Sequence, residues 1–276
     1  MTTEILLSPS QLSTWEDCEL KHALSRVLPR GNFKTTMAMR TGTACHDAME
    51  QYLLVEPKDR THELLDFNVG LSFQSQKDEA EEGGLFFDDK TIKAWATARN
   101  NGRSMVERYW NEFGKDEGLW GGHVEYPIRT HVGTYTANGE EYTVDFEARV
   151  DYVIGNETHD FKTTSARPWP SLMNYTYFTP QFRQQGWLLW KTTGIIPTTV
   201  ATVLWPTGAD RDDRELTLEE LERTGRDIAR AAEGIVEAKE NGAHPREGYQ
   251  CRNCFAYNTC VTRMAGGSLP EGVRIA

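Results

Sequence analysis

The apolar positions of the chain follow two periods, and the change between them falls near His123. Before it, Leu12, Trp15, Leu20, Ala23, Leu24 and Val27 recur close to helical spacing. Ser8-Pro9-Ser10-Gln11 supplies a start, with Ser8 as cap, Pro9 at the first helical position and Gln11 completing a capping box. Pro29-Arg30-Gly31 stops the run, which predicts one uninterrupted helix. A second helix is predicted from Thr43 to about Val55, on a stripe of Ala44, Ala48, Met49, Tyr52 and Leu53. Residues 56–90 carry the weakest pattern, and Asp78 to Gly84 reads as a solvated loop. Helical character resumes from Lys90 to Phe113.

From His123 the period is two. Strands are predicted over 123–136 and 141–154, joined by a turn at Asn138-Gly139, with a third short strand at Thr158–Thr163. An aromatic loop, a helix at about Thr179–Thr193, a strand at Thr199–Trp205 and a long helix at Leu216–Asn241 follow. This order predicts an α/β fold with a mixed central sheet flanked by helices.

Composition narrows the function classes. The chain has 276 residues, 38% hydrophobic and 26% charged, which is enough for a sizeable core and excludes disorder. No apolar run approaches the roughly 18 residues that cross a bilayer. Met1 to Pro9 lacks the basic and apolar regions of a signal peptide, so a cytoplasmic location is expected. A net charge of −11 argues against coating nucleic acid through bulk electrostatics, whereas a site that gathers divalent cations is itself acidic. Lys21, Arg26, Arg30, Lys34 and Arg40 form a stretch without acids, which either follows a phosphate backbone or is a solvated face. No G-x-x-x-x-G-K-S/T segment is present, so any unwinding of DNA must come from a partner.

The strands carry the candidate chemistry. Val144, Phe146, Ala148, Val150 and Tyr152 fall on one face of the second strand, with Asp145, Glu147, Arg149 and Asp151 on the other. Three carboxylates in a row are costly unless they meet water, a metal or each other. Asp160 and Lys162 share one side of the next strand, while Phe161 points into the core. Carboxylates beside a lysine suit phosphodiester hydrolysis: the acids hold Mg²⁺ or Mn²⁺, and the lysine orients water or stabilises phosphorane charge. Glu125 and Glu147 either join such a site or pair at the surface.

These segments resemble the RecB-like branch of the PD-(D/E)XK nuclease superfamily. Glu147-Ala148-Arg149-Val150-Asp151 and Asp160-Phe161-Lys162 are similar to its Gly-Arg-Ile-Asp and Asp-Tyr-Lys pair. Arg40 to Glu50 is similar to its Arg-Gly-Thr-x-x-His segment, and Pro180 to Gln185 stands where the family has a glutamine-bearing helix. The resemblance implies a restriction-endonuclease-like core, with His46, Asp151, Asp160 and the Phe161 carbonyl as metal ligands. It also implies Lys162 as the catalytic lysine and Gln181 as the motif glutamine. Two departures stand out: Ala148 replaces the family glycine, and Gln185 stands where Gln-x-x-x-Tyr would place a tyrosine, which leaves Gln184 or Gln185 as alternatives to Gln181.

The cysteines extend the resemblance. Five of them in a cytosolic chain are not a disulfide framework. Cys251, Cys254 and Cys260 give C-x2-C-x5-C, and Cys18 or Cys45 supplies a fourth thiolate for a tetrahedral or cubane site. Iron–sulfur members of the family place one cysteine early in the first helix and three after the nuclease core. That resemblance, which extends to the AddB nuclease domain and the CRISPR-associated adaptation nucleases, implies Cys18, Cys251, Cys254 and Cys260 as ligands of a structural 4Fe–4S cluster. Cys45 then serves as a small apolar residue. Zinc and unliganded thiols are the alternatives, and a single C-x2-C knuckle speaks against zinc. Such a cluster closes a loop of more than 230 residues.

The expectation is one domain over residues 1–276: a mainly helical part at 1–120, the catalytic core at 121–206, and the C-terminal helix and cluster-binding tail at 207–276. The implied activity is a Mg²⁺- or Mn²⁺-dependent deoxyribonuclease, an exonuclease acting on single-stranded DNA or duplex ends. An endonuclease or adaptation nuclease within a larger complex, a non-catalytic DNA-end-binding module and a zinc-bearing binding protein are the rival readings. A helicase or recombination partner is compatible with it, and the oligomeric state is open. Trp169, Tyr175 and Tyr177 either stack on unpaired bases or pack beneath their loop.

Overall fold

The computed structural model describes residues 2–28, 36–85, 87–114, 120–168, 174–264, 266–270, 273 and 275. Trp169, the Pro29-Arg30-Gly31 stop, and Arg30 and Lys34 of the basic stretch lie outside the described residues.

Six strands form one mixed sheet: β1 (Thr2–Leu7), β2 (His123–Ala137), β3 (Glu140–Ile154), β4 (Glu157–Thr163), β5 (Thr198–Trp205) and β6 (Gly208–Glu215). β3 is its spine. One edge of β3 pairs antiparallel with β2 almost throughout, across a hairpin turned by Asn138 and Gly139 at φ +52° and +73°. The other edge is shared. β1 runs parallel to β3 as far as Phe146, and β4 pairs antiparallel with it only from Tyr152 to Ile154. Residues 147–151 of that edge pair with neither strand, so the sheet splits there. β4 continues into parallel β5, and β5 into antiparallel β6.

Helices cover both faces. Val144, Phe146, Ala148 and Val150 pack with Leu12 of α1 (Pro9–Asp17), Leu188 of α7 (Pro180–Thr193) and Ile228 and Val236 of α8 (Leu218–Asn241). Tyr152, Phe161 and Leu204 pack with Ala48 of α3 (Met37–Leu53), Phe73 of α4 (His62–Glu82) and Val106 of α5 (Asp89–Tyr109). Burying each such side chain stabilises the fold by about 1.5–3 kcal/mol. A third cluster joins Leu20 and Leu24 of α2 (Glu19–Val27) to Ala243 and Ala256 near the C-terminus. The short helices α6 (Tyr175–Phe178) and α9 (Tyr257–Met264) complete the elements. No helix among the described residues is long and apolar enough to cross a membrane.

Several sequence expectations change. The predicted first helix is broken at Cys18, whose extended backbone (φ −169°, ψ 117°) ends α1 and begins α2. The expected loop at 78–84 is the last turn of α4, which stops only at Gly83. Tyr152 leaves the face of Val150 for the opposite layer. The strand is distorted between them: Asp151 lies opposite Glu125, which takes a left-handed φ of +48°. α3 begins at Met37 rather than Thr43, and β1 and β6 were not anticipated.

Candidate active site and cysteine cavity

The split in the sheet positions the charged residues. Where the β3–β4 ladder stops after Tyr152–His159, a side chain takes over from the backbone: the Phe161 N–H donates to Asp151 Oδ2 at 2.7 Å. Asp160 and Lys162 flank Phe161 on β4 and share one side of the strand. Lys162 Nζ lies 2.6 Å from Asp160 Oδ2. Asp160 Oδ2 is buried and, apart from this ion pair, has no hydrogen-bond partner. Helix α7 supplies the rest. Gln181 Nε2 donates to Asp160 Oδ1 at 2.7 Å, Lys162 Nζ donates to Gln181 Oε1 at 3.2 Å, and Gln185 Nε2 reaches Asp160 Oδ1 at 3.4 Å.

His46 enters from α3. Its Nδ1 lies 3.3 Å from Asp151 Oδ2, and its ring meets Phe161 edge-on. Gly42, one turn earlier, permits this approach, because a Cβ there would sit 3.2 Å from Thr163 Oγ1. The structure therefore brings His46, Asp151, Asp160, Phe161, Lys162 and Gln181 together. Of the alternative glutamines, Gln185 touches Asp160 and Gln184 does not. Tyr175 lies close enough to Lys162 to feel its charge, whereas Tyr177 is exposed beneath Arg214.

Electrostatics mark the group as unusual. Burial, and then the charge of Asp160, pushes the Asp151 carboxyl above the ordinary carboxylate range. Burial holds His46 below the usual imidazole value, with Asp160 opposing it. Two residues complete the acidic surroundings. Glu50 is raised to about 8 by burial and by the neighbouring charge of Glu125. Glu125 also meets Arg149 Nε at 3.4 Å. Glu50 stands outside the motif residues that the sequence singles out. Its signal was its place four residues after His46, on the same helical face.

Oxygen donors from two aspartates and a carbonyl, with one imidazole, are the donor set that hard divalent cations take. The buried Asp160 Oδ2, met only by the Lys162 ammonium, and the raised carboxyl of Asp151 beside it fit a cation at this place. Among the described residues, no three His, Cys, Asp or Glu side chains converge on an ion position as placed.

The cysteines gather elsewhere. Cys18, Cys251, Cys254 and Cys260 line one cavity of about 600 Å³, walled by Leu20, Leu24 and Ala256. None is in a disulfide. Burial, then the charges of Cys18, Cys254 and Cys251, raises the Cys260 thiol, which places all four in one electrostatic neighbourhood. The break at Cys18 aims its sulfur at the tail, where the Arg246 N–H approaches it at 3.4 Å. Four soft thiols around an open space fit a thiolate-bound group. Cys45 is apart from them, fully buried, with its thiol pushed up to about 12 by burial.

A family model described as the PD-(D/E)XK nuclease superfamily matches residues 6–261. The solved structure of a candidate exonuclease from Eubacterium rectale is similar in fold, with 12% identity and a TM-score of 0.53 over 95% of this chain and 94% of that one. A second solved protein, SSO0001, aligns at 15% identity over 76% of this chain and 84% of its own, with a TM-score of 0.34 that carries no argument. No curated protein matches the chain.

Proposed function

The chain belongs to the PD-(D/E)XK nuclease superfamily, and from that premise we propose that it is a divalent-metal-dependent deoxyribonuclease of the RecB-like iron–sulfur type, acting as an exonuclease on single strands or duplex ends. The observation that carries this reading is the meeting of His46, Asp151, Asp160 and Lys162, from α3, β3 and β4, at one point of the sheet split. The exonuclease part draws on the description of the Eubacterium rectale protein.

His46, Asp151, Asp160 and the Phe161 carbonyl would hold Mg²⁺ or Mn²⁺. Such an ion, when bound, makes water acidic enough to attack and withdraws charge from the phosphoryl group. The remaining chemistry falls to the chain. Lys162 presents an ammonium beside Asp160, where it can donate to the attacking water or to a non-bridging oxygen. Gln181 grips both partners, one end on Asp160 and the other on Lys162, and so fixes their separation. Phe161 fixes Asp151 through its N–H.

For the tail, Cys18, Cys251, Cys254 and Cys260 would ligate a structural 4Fe–4S cluster. Zinc requires sulfurs about 2.3 Å from one point. The cavity of about 600 Å³ that the four thiols line leaves room for a group of several atoms.

The test is cleavage of end-labelled single-stranded DNA with Mg²⁺ or Mn²⁺, using protein purified without oxygen, beside Lys162→Ala and with iron and sulfide assayed. Cleavage by the parent, a loss of about 10²–10³-fold in the variant, and iron with labile sulfide are expected. A folded parent that leaves the label intact would overturn the nuclease reading, and zinc in place of iron would overturn the cluster.

A further inference from the structure

Where residues 147–151 of β3 pair with neither β1 nor β4, a cavity of about 510 Å³ opens beside Gln181. Its walls include Ser10 and Ser13 of α1, Glu147 and Arg149 of β3, and Gln181 and Gln184 of α7. Its size lies within the range of sites that take small organic groups, about 300–1,000 Å³.

Two helices begin at this cavity. α1 and α7 each start with proline, and the next N–H groups, those of Ser10 and Gln181, have no acceptor among the described residues. Both termini therefore turn partial positive charge and free donors toward the same space. A separate observation points to a ligand. Gln184 is only 5% exposed, lines the cavity, and its side-chain amide makes no hydrogen bond among the described residues. Its amide atoms are not sealed from solvent and so open onto the cavity, where they offer a donor and an acceptor. It lies one helical turn beyond Gln181, on the same face.

The chemistry of the walls selects the ligand. Arg149 keeps 71% of its side chain exposed and has one loose ion pair, with Glu125 at 3.4 Å. Glu147 makes no ion pair among the described residues. A bare phosphate would suit Arg149 and the helix termini but meet Glu147 unfavourably. A nucleotide uses both kinds of wall. Its phosphate would lie between Arg149 and the two N-termini, and the amino and carbonyl groups of its base would face Glu147 and Gln184.

We propose that this cavity is a second nucleotide subsite, which holds the nucleotide adjoining the scissile phosphate of a DNA strand. The reading rests on the nuclease function above and deepens it. A base whose edge is bonded to Glu147 and Gln184 is not paired, so the subsite selects single-stranded substrate over intact duplex. Arg149 supplies the phosphate contact, and Gln184 is the specificity-determining residue.

The experiment measures binding of a short fluorescein-labelled single-stranded oligonucleotide by anisotropy, with Ca²⁺ replacing Mg²⁺, over a range of salt. Arg149→Gln is expected to weaken binding about tenfold and to lower the slope of log affinity against log salt by about 0.7, the loss of one phosphate contact to a single strand. Gln184→Leu is expected to weaken binding to a similar degree with the slope unchanged. Arg230→Gln, on the outer side of α8, removes the same charge elsewhere and serves as the control. Parent-like binding by both Arg149→Gln and Gln184→Leu would overturn the subsite even if the parent cleaves DNA. A lowered slope in Arg149→Gln with parent-like binding by Gln184→Leu would leave a phosphate contact only, and so overturn the nucleotide proposal. A parent that binds through both residues but cleaves nothing with Mg²⁺ or Mn²⁺ would overturn the nuclease reading and keep the subsite. Neither binding nor cleavage would remove both.

Discussion

Gln181 is placed to matter more than its neutral side chain suggests. Its amide offers a donor to Asp160 and an acceptor to Lys162, so the two charges are held through one rigid plane. In Gln181→Leu, Asp160 keeps the Lys162 ion pair and the 3.4 Å contact from Gln185, and Lys162 loses its hydrogen-bond acceptor on α7. Losing such an orienting partner costs about 10- to 100-fold in activity or metal affinity. We expect the variant to need more Mn²⁺ for half-maximal cleavage while unfolding at the parent's temperature. A rate equal to the parent's at every Mn²⁺ concentration would show that Gln185 suffices. The same residue illustrates what sequence could not resolve. Three glutamines lay within five positions, and only the rotation of α7 against β4 decides which amide meets the aspartate.

At the scale of elements, α3, α4 and α5 form the layer that delivers His46, and their closeness depends on Gly102. A Cβ at that position would meet Phe73 at 2.5 Å and Cys45 Sγ at 3.2 Å, in the buried seam between the helices. Gly102→Ala gains about 1 kcal/mol of helix propensity, against about 1–3 kcal/mol for overpacking. Net destabilisation is expected in urea titrations, with recovery when Phe73→Leu is added. A single variant as stable as the parent would mean that Phe73 swings aside freely. α4 also shows why this layer was hard to read. Its buried stripe runs Leu65, Asn68, Val69, Ser72, Phe73, Gln76 and Ala80, with Phe67 and Leu71 exposed, so polarity and burial disagree. β6 (Gly-Ala-Asp-Arg-Asp-Asp-Arg-Glu) carries no apolar alternation and owes its place to pairing with β5. β3 and β5 were legible because most of their inward residues are apolar and β-branched or aromatic. β4 buries Thr158, His159 and Asp160 beside Phe161, and was legible instead through its acid–lysine pair, two residues apart on one side of the strand. The distortion opposite Glu125, the break at Cys18 and the meeting of two helix N-termini arise from contacts distant in sequence.

At the scale of the whole molecule, the two ends of the chain close on each other. Leu20 and Leu24 of α2 pack with Ala243 and Ala256, while His22 of the same helix lies in the joint against Trp15 and Lys239. His22 is 3% exposed, its Nε2 has no hydrogen-bond partner, and burial lowers its pKa to about 4, with Arg26 and Lys239 adding repulsion. A histidine buried as the neutral ring binds its proton more readily in the unfolded chain, near 6.5. Its contribution is therefore intact above about pH 6.5 and is lost as pH falls from there toward 4. Linkage puts the loss at about 2 kcal/mol between pH 7.5 and 5. Glu50 and Asp151 work in the opposite direction, because carboxyls raised by burial hold protons more tightly in the folded chain. The informative quantity is thus the difference between parent and His22→Leu, not the slope of either. Urea midpoints at the two pH values should show the parent losing about 2 kcal/mol more than the variant on acidification. Equal losses would mean that water reaches His22 and that the joint between the chain's two ends is looser than its burial implies.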